Sequence, residues 1–241
     1  MLYYPDTPPP SEVAAASASL FFWPSFAGYR GFLGAQAPAK PKSTVVAFHG
    51  NGGGAADRAW YARALQPLGY RVVLAEYPVY GGRPGTLGEE AFVADARETV
   101  RQVAAELGGP VLLLGESLGC GVAAAVAKDP PVPVTKLLLI TPWDNLLSVA
   151  QAHFPFIPLG FFLKDRYDSA ANLKGFEGRV ALVAAERDEV IPIRHARNLY
   201  DGLACAKRLW VVPQAGHNDW MLGVARDWWA EVMEFVEAGG G

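Results

Sequence analysis

The sequence predicts a doubly wound α/β fold built on a mostly parallel sheet, and three observations carry that expectation. Six short runs from Ser43 onward are apolar on both faces, as strands covered by helices on each side must be. Between them, apolar residues recur at helical spacing, so strand and helix alternate in the βαβ manner. A chain of 241 residues that is 51% hydrophobic can fill one sizeable core, which makes a single domain over residues 1–241 the expectation.

The elements follow in order. The first forty residues are rich in Pro, Ser and aromatics and should hold one or two antiparallel strands around LFFW and YRGFLGAQ. The parallel strands are then TVVAF (44–48), RVVLAEY (71–77), PVLLLG (110–115), KLLLI (136–140), RVALVAA (179–185) and RLWVVP (208–213). Helices are expected at 56–68, 88–107, 118–128, 192–203 and 221–237. In the longest, Phe92, Ala96, Thr99, Val100 and Val103 repeat at helical spacing, and Gly108 and Gly109 close it. Segment 142–176 breaks the rhythm. It is too long for an ordinary connection, and insertions of this kind carry lids and binding surfaces, so a small lid insert within the domain is expected there.

Composition excludes several classes. A formal charge of −3 without any Lys/Arg cluster lacks the basic footprint of a nucleic-acid binder. Cys120 and Cys205 lie in alanine-rich surroundings with no CxxC spacing, which suggests neither a disulfide framework nor a metal site and fits a reducing, cytoplasmic compartment. The amino terminus, MLYYPDTPPPSEVAAASASLFFWPSF, has no basic stretch ahead of its apolar residues, and its prolines interrupt any run long enough to span a membrane. Stable membrane insertion is therefore not expected.

Chemistry enters at LLLGESLG, where a leucine-rich strand meets Gly115-Glu-Ser-Leu-Gly119 and then an alanine-rich helix. A serine at such a junction, with glycines two residues before and after it, has the pattern of a nucleophile elbow. The small residues let strand and helix approach, and the serine hydroxyl is pushed out at the carboxyl edge of the sheet. Leu118 opens the helix, so its N–H points toward any oxyanion formed there. A plain strand-to-helix turn would use similar residues, so the motif needs partners.

Serine requires a base and a group that orients that base, in the chain order Ser, acid, His. Asp188 follows RVALVAA and His217 follows RLWVVP, which brings both to the same edge as Ser117. Glu186, Glu189 and above all Asp144, after KLLLI, are rival acids, while His49, His153 and His195 fit the order or the strand-end position less well. The loop HGNGGG after TVVAF should supply a second oxyanion amide, that of Asn51, with His49 bracing the loop. The same loop also reads GNGGGA, a loose dinucleotide fingerprint with Glu76 near the place of a ribose-binding acid. A nucleotide-binding oxidoreductase is thus an alternative, although it leaves Ser117, Asp188 and His217 without a task. A catalytically silent fold serving as a binding module is the other.

These motifs together resemble the α/β-hydrolase superfamily. The resemblance runs from Ser43 to His217 and rests on FHGN (48–51), GESLG (115–119), ERDEVIP (186–192) and AGHND (215–219). The pairing of an HGN loop with a GHND ending is similar to the branch that includes protein depalmitoylases, lysophospholipid lipases and uncharacterised bacterial hydrolases. It implies a catalytic triad of Ser117, Asp188 and His217, oxyanion amides from Leu118 and Asn51, and acyl-enzyme hydrolysis of a small-molecule ester or thioester without a cofactor or metal. The branch usually has Tyr-Arg-Gly-Tyr-Gly after the second parallel strand. Here YPVYGG (77–82) keeps the tyrosines and loses the arginine and first glycine, and Tyr80 is expected to contact substrate. In HFPFIPLGFFL, Phe154, Phe156, Phe161 and Phe162 either line a pocket for a medium or long acyl chain or simply pack a lid against the sheet. The sequence leaves both open.

Overall fold

The computed structural model describes residues 2–5, 11–25 and 27–238, apart from the side chains of Val13 and Phe161. Eight strands form the main sheet among these residues: β1 (Leu20–Trp23), β2 (Gly31–Gly34), β3 (Thr44–Phe48), β4 (Arg71–Ala75), β5 (Val111–Glu116), β6 (Val134–Ile140), β7 (Arg179–Ala185) and β8 (Ala206–Val212). Their order across the sheet is β8-β7-β6-β5-β3-β4-β2-β1. The pairs from β8 to β4 are parallel and the last two are antiparallel. The expected doubly wound, mostly parallel sheet is therefore present, with both amino-terminal strands at one edge.

The helices are α1 (Ala59–Leu65), α2 (Glu89–Leu107), α3 (Leu118–Lys128), α4 (Leu146–His153), α5 (Arg194–Gly202) and α6 (Arg226–Glu237), with shorter helical pieces between them. In α2 the buried residues are Phe92, Ala96, Thr99, Val100 and Val103, the five read from the periodicity. Each large apolar side chain so buried stabilises the fold by about 1.5–3 kcal/mol. Gly108 and Gly109 follow at φ 63° and 78°, a left-handed backbone that only glycine enters without strain. Helix α3 is buried along Leu118–Ala127, because it lies between the sheet and neighbouring helices. The helix expected over 221–237 is broken. A 3-10 turn at Trp220–Gly223 is separated from α6 by Val224 and Ala225; the extended backbone of Val224 (φ −120°, ψ 132°) suits a β-branched side chain.

Two regions position the site. Segment 142–176 contains α4, the 3-10 turn Leu159–Phe161 and the short helix Ser169–Asn172. Asn145 caps α4, its Oδ1 accepting from Ser148 N at 2.8 Å. The amino-terminal residues Tyr4–Pro5 form a short strand that the sequence reading did not anticipate, and it pairs in parallel with Gly52–Gly53 of the HGNGGG loop. Among the described residues no helix is long and apolar enough to cross a membrane.

Candidate active site

The carboxyl ends of β3, β5, β7 and β8 lie along one edge, with β6 between β5 and β7, because register pairs Phe48 with Gly115, Glu116 with Ile140, Ile140 with Val183, and Ala185 with Val212. Loops leaving these four ends therefore meet. Ser117 follows β5 directly and caps α3 with φ 53° and ψ −114°, a conformation that side-chain-bearing residues rarely adopt. The flanking glycines make this turn possible. A Cβ on Gly115 would lie 2.4 Å from the Gly119 carbonyl oxygen, and one on Gly119 would lie 2.0 Å from the Phe48 carbonyl oxygen.

His217 and Asp188 come from adjacent loops that are tied together. Glu186 N donates to Val212 O at 3.1 Å and Arg187 N to Ala215 O at 2.8 Å. Asp188 Oδ1 accepts from Val190 N at 2.9 Å and Ile191 N at 2.6 Å, which fixes the carboxylate in place. Its Oδ2 lies 2.7 Å from His217 Nδ1, and His217 Nε2 lies 3.0 Å from Ser117 Oγ. An ionised carboxylate only accepts, so Nδ1 carries the proton and a neutral ring presents the Nε2 lone pair to the serine hydroxyl. Asp188 and Ser117 are both buried at 8% exposure, so water competes little for these bonds.

Most of the rival residues are engaged elsewhere. Asp144 Oδ1 accepts from Ser148 Oγ at 2.7 Å and faces His195 Nδ1 at 2.9 Å, while Oδ2 accepts from Asn198 Nδ2 at 3.1 Å. It joins the start of α4 to α5. Burial pushes its pKa up, but the hydrogen bonds from Ser148, Asn145, Asn198 and His195 outweigh that and hold it below the usual carboxylate value. Glu186 Oε2 accepts from both nitrogens of Gln214. His49 braces its loop as expected: Nδ1 donates to Gly50 O at 2.8 Å, and Nε2 meets Glu76 Oε1 at 2.8 Å. Glu76 also accepts from Ala55 N at 3.0 Å and is buried, so the acid of the dinucleotide reading is occupied within the fold. Burial pushes the Cys120 thiol pKa well up, and its Sγ faces the Gly115 and Ile140 carbonyls at 3.1 Å. That thiol is a packing group.

Beside Ser117 lies a cavity of about 680 Å³, lined by Ser117, Leu118, His217, Asn51, Trp143 and Leu146 among others. Leu118 is the first residue of α3, so its N–H has no acceptor within the helix. Asn51 is held through its carbonyl, which accepts from Tyr80 Oη at 2.6 Å and Tyr4 N at 3.0 Å, and through its carboxamide, which donates to Leu2 O at 3.1 Å. These ties leave the Asn51 N–H out. A larger cavity of about 960 Å³ lies at the opposite, amino-terminal edge of the strands around Val134 and Arg179, far from this chemistry.

Two expectations about substrate contacts are corrected. Tyr80 is fully buried and does not line the cavity; its hydroxyl holds the Asn51 carbonyl instead. Phe154, Phe156 and Phe162 are 55%, 97% and 73% exposed and do not line the cavity either, since the prolines among them prevent a helix that would turn one face inward. Phe161 falls in the Leu159–Phe161 turn, with its side chain outside the described residues. The wall on this side is built by Trp143 and by Leu146 and Val149 of α4. Glu116 was also missed: its carboxylate accepts from Arg58 Nε and Nη2 at 3.2 and 3.0 Å and from Tyr61 Oη at 2.8 Å. Arg58 reads on the sequence as an ordinary surface cation.

The fold and site define a class, and comparison agrees: residues 43–177, more than half of the chain, match the model of the alpha/beta hydrolase fold family. The protein belongs to that family. An uncharacterised Mycobacterium tuberculosis protein is 34% identical over 178 residues, covering 73% of this chain and 63% of that protein. The zebrafish (Danio rerio) lysophosphatidylserine lipase ABHD12 is 29% identical over 184 residues, covering 68% of this chain and 48% of the lipase. The chain thus spans between about half and two thirds of the length of these relatives. In fold it is similar to a Pyrococcus furiosus esterase, with a TM-score of 0.71 and 15% identity over 98% of this chain and 97% of that one. It is also similar to a Paleococcus ferrophilus monoacylglycerol lipase, with a TM-score of 0.62 and 17% identity over 83% and 96% of the two chains.

Proposed function

We propose that the protein is a serine hydrolase that cleaves carboxylic esters or thioesters of medium or long acyl chains through an acyl-enzyme. The observation that carries this reading is the continuous relay from Asp188 through His217 to Ser117, at 2.7 and 3.0 Å. As Ser117 Oγ forms a bond to the carbonyl carbon, His217 Nε2 takes its proton, and Asp188 holds Nδ1–H and stabilises the imidazolium. The carbonyl oxygen becomes an oxyanion held by the N–H groups of Leu118 and Asn51. Collapse breaks the bond to the leaving alcohol or thiol, which receives the proton from His217. Water, deprotonated by the same ring, then attacks the acyl-serine and releases the acid.

Apolar lining from Trp143, Leu146, Val149 and Ile191 supports an acyl chain, and segment 142–176 acts as the lid over it. The relative named as a lysophosphatidylserine lipase makes a lysophospholipid the first natural ester to try. Two unpaired cysteines support a cytoplasmic setting. The test is hydrolysis of p-nitrophenyl esters of increasing chain length, with Ser117→Ala alongside and fluorophosphonate labelling of Ser117 as a second readout. Turnover and labelling that both vanish in the variant, a loss of at least about 10³-fold, are expected. Wild-type protein that neither turns over esters nor labels would move the reading to a silent fold.

A further inference from the structure

Residues Leu2–Pro5 form a strap beside the active-site cavity, with Tyr4–Pro5 extended as a strand. Tyr4 pairs with Gly52 and Pro5 with Gly53, so the strap lies alongside the loop that carries Asn51. The Tyr4 N–H reaches both Asn51 O at 3.0 Å and Tyr80 Oη at 3.1 Å, and Leu2 O accepts from Asn51 Nδ2 at 3.1 Å. Side chains alternate along an extended chain. Tyr3 accordingly turns inward: it is 7% exposed, packs edge-on against Phe92 at 5.0 Å, donates to Asp165 Oδ2 at 2.6 Å, and meets Tyr167 Oη at 3.1 Å. Burial, Tyr167 and Asp165 push the Tyr3 phenol pKa well above its ordinary value, so it remains a donor. Asp165 and Tyr167 lie in segment 142–176. Leu2 and Tyr4 turn the other way and line the cavity that holds Ser117 and His217.

We propose that this strap is a specificity-determining wall of the active site, with Leu2 and Tyr4 closing an acyl slot whose other side is Trp143, Leu146 and Val149. The slot belongs to a substrate with a single acyl chain and a polar leaving group, because polar side chains also line the cavity: Asp57, Arg58, Glu116 and Asn218. A chain threading between Leu2 and α4 is dehydrated on both sides, which favours longer chains by about fourfold for each buried methylene. Tyr3 sets the depth of the wall, since its anchor to Asp165 and Tyr167 fixes the strap against the lid segment. The backbone of the same strap holds the Asn51 carbonyl, so the wall and the oxyanion loop are one hydrogen-bonded unit.

The inference rests on the serine-hydrolase reading, and the experiment separates the two. Leu2→Ala and Leu2→Trp are purified with the wild type and checked for folding by thermal melts. Each is labelled with a fluorophosphonate and assayed on p-nitrophenyl acetate, octanoate, dodecanoate and palmitate. Leu2→Trp should lower the ratio of dodecanoate to acetate kcat/KM by roughly tenfold or more, mainly through KM, whereas Leu2→Ala should move the optimum to longer chains. Folded, labelled variants that keep the wild-type chain-length profile would overturn the wall assignment alone. A labelled wild type active only on acetate would overturn it as well. Wild-type protein without labelling or turnover would instead overturn the serine-hydrolase reading beneath it.

Discussion

Gly119→Ala is the sharpest probe of how the elbow is built. The added methyl would lie 2.0 Å from the Phe48 carbonyl oxygen, 2.6 Å from its carbon, and 2.9 Å from the His49 carbonyl oxygen. All three are backbone atoms at the root of the loop carrying Asn51, so no flexible side chain can give way. An ordinary carbon–oxygen contact is about 3.3 Å, so α3 and the end of β3 must separate by more than about 1 Å. Overpacking of this kind costs about 1–3 kcal/mol, which for a domain of this size lowers Tm by about 2–12 °C. A displacement near 1 Å between Ser117 and the Asn51 amide lowers kcat by about 10². The assay pairs thermal melts with turnover of the best p-nitrophenyl ester. Gly202→Ala serves as the control, because a Cβ there meets nothing within 4 Å and the residue ends α5. Its stability should change by less than about 1 kcal/mol, with kcat unchanged. A Gly119→Ala protein that melts and turns over like the wild type would refute the steric argument. One that loses stability but keeps kcat would refute the link from elbow packing to the oxyanion loop.

Three further outcomes are expected. Tyr80→Phe removes the hydroxyl that donates to Asn51 O, so kcat should fall about three- to tenfold at nearly constant KM in steady-state assays. Asp144 has a depressed pKa in the folded state, so its stabilising effect is present above the ordinary aspartate value of about 3.9 and is lost as pH falls through the folded value. Melts between pH 7 and pH 3 should therefore lose less stability on acidification in Asp144→Asn than in the wild type, the variant being the less stable of the two at pH 7. Phe156 is 97% exposed, so Phe156→Ser should change the unfolding free energy by no more than about 0.5 kcal/mol in denaturant titrations.

Much of the architecture was legible because parallel strands buried on both faces write themselves as continuous apolar runs, and because α2 carries a clean helical period. The strand ends could then be aligned, which is why Ser117, Asp188 and His217 were brought to one edge by chain order and strand-end position. The phenylalanines of 153–163 misled, since an apolar run reports hydrophobicity but not direction, and Pro155 and Pro158 remove the periodicity that would give one. Tyr80 misled for a related reason: a tyrosine in a loop beside the site can point either to substrate or into the core, and Phe92 and Tyr77 supply a core for it. The strap at Leu2–Pro5 was invisible because two paired residues are too short to leave a strand pattern.

The glutamate before the serine follows from the strain of the elbow itself. Ser117 has φ 53°, and a side-chain-bearing residue there costs of order 1–3 kcal/mol unless its surroundings over-determine it. They do so from several directions. Ser117 N donates to Ile140 O at 2.9 Å, which locks the elbow to β6, and Cys120 N donates to Ser117 O at 2.9 Å, which starts α3. Glu116 adds the third direction, because its carboxylate is held beside the same cavity, next to Gly50. There Arg58 and Tyr61 satisfy it, and burial of a carboxylate is tolerable only with such donors. Arg58 closes the circuit. Burial alone would lower its pKa, but Glu116 raises it above the ordinary value and keeps the cation charged. Its Nη2 stands 3.5 Å from the point where a Cβ on Gly50 would project. The pair therefore sets the residue before Ser117 beside the loop that carries Asn51, so that, on the proposed mechanism, the serine and the Asn51 amide are held in one frame before any substrate arrives.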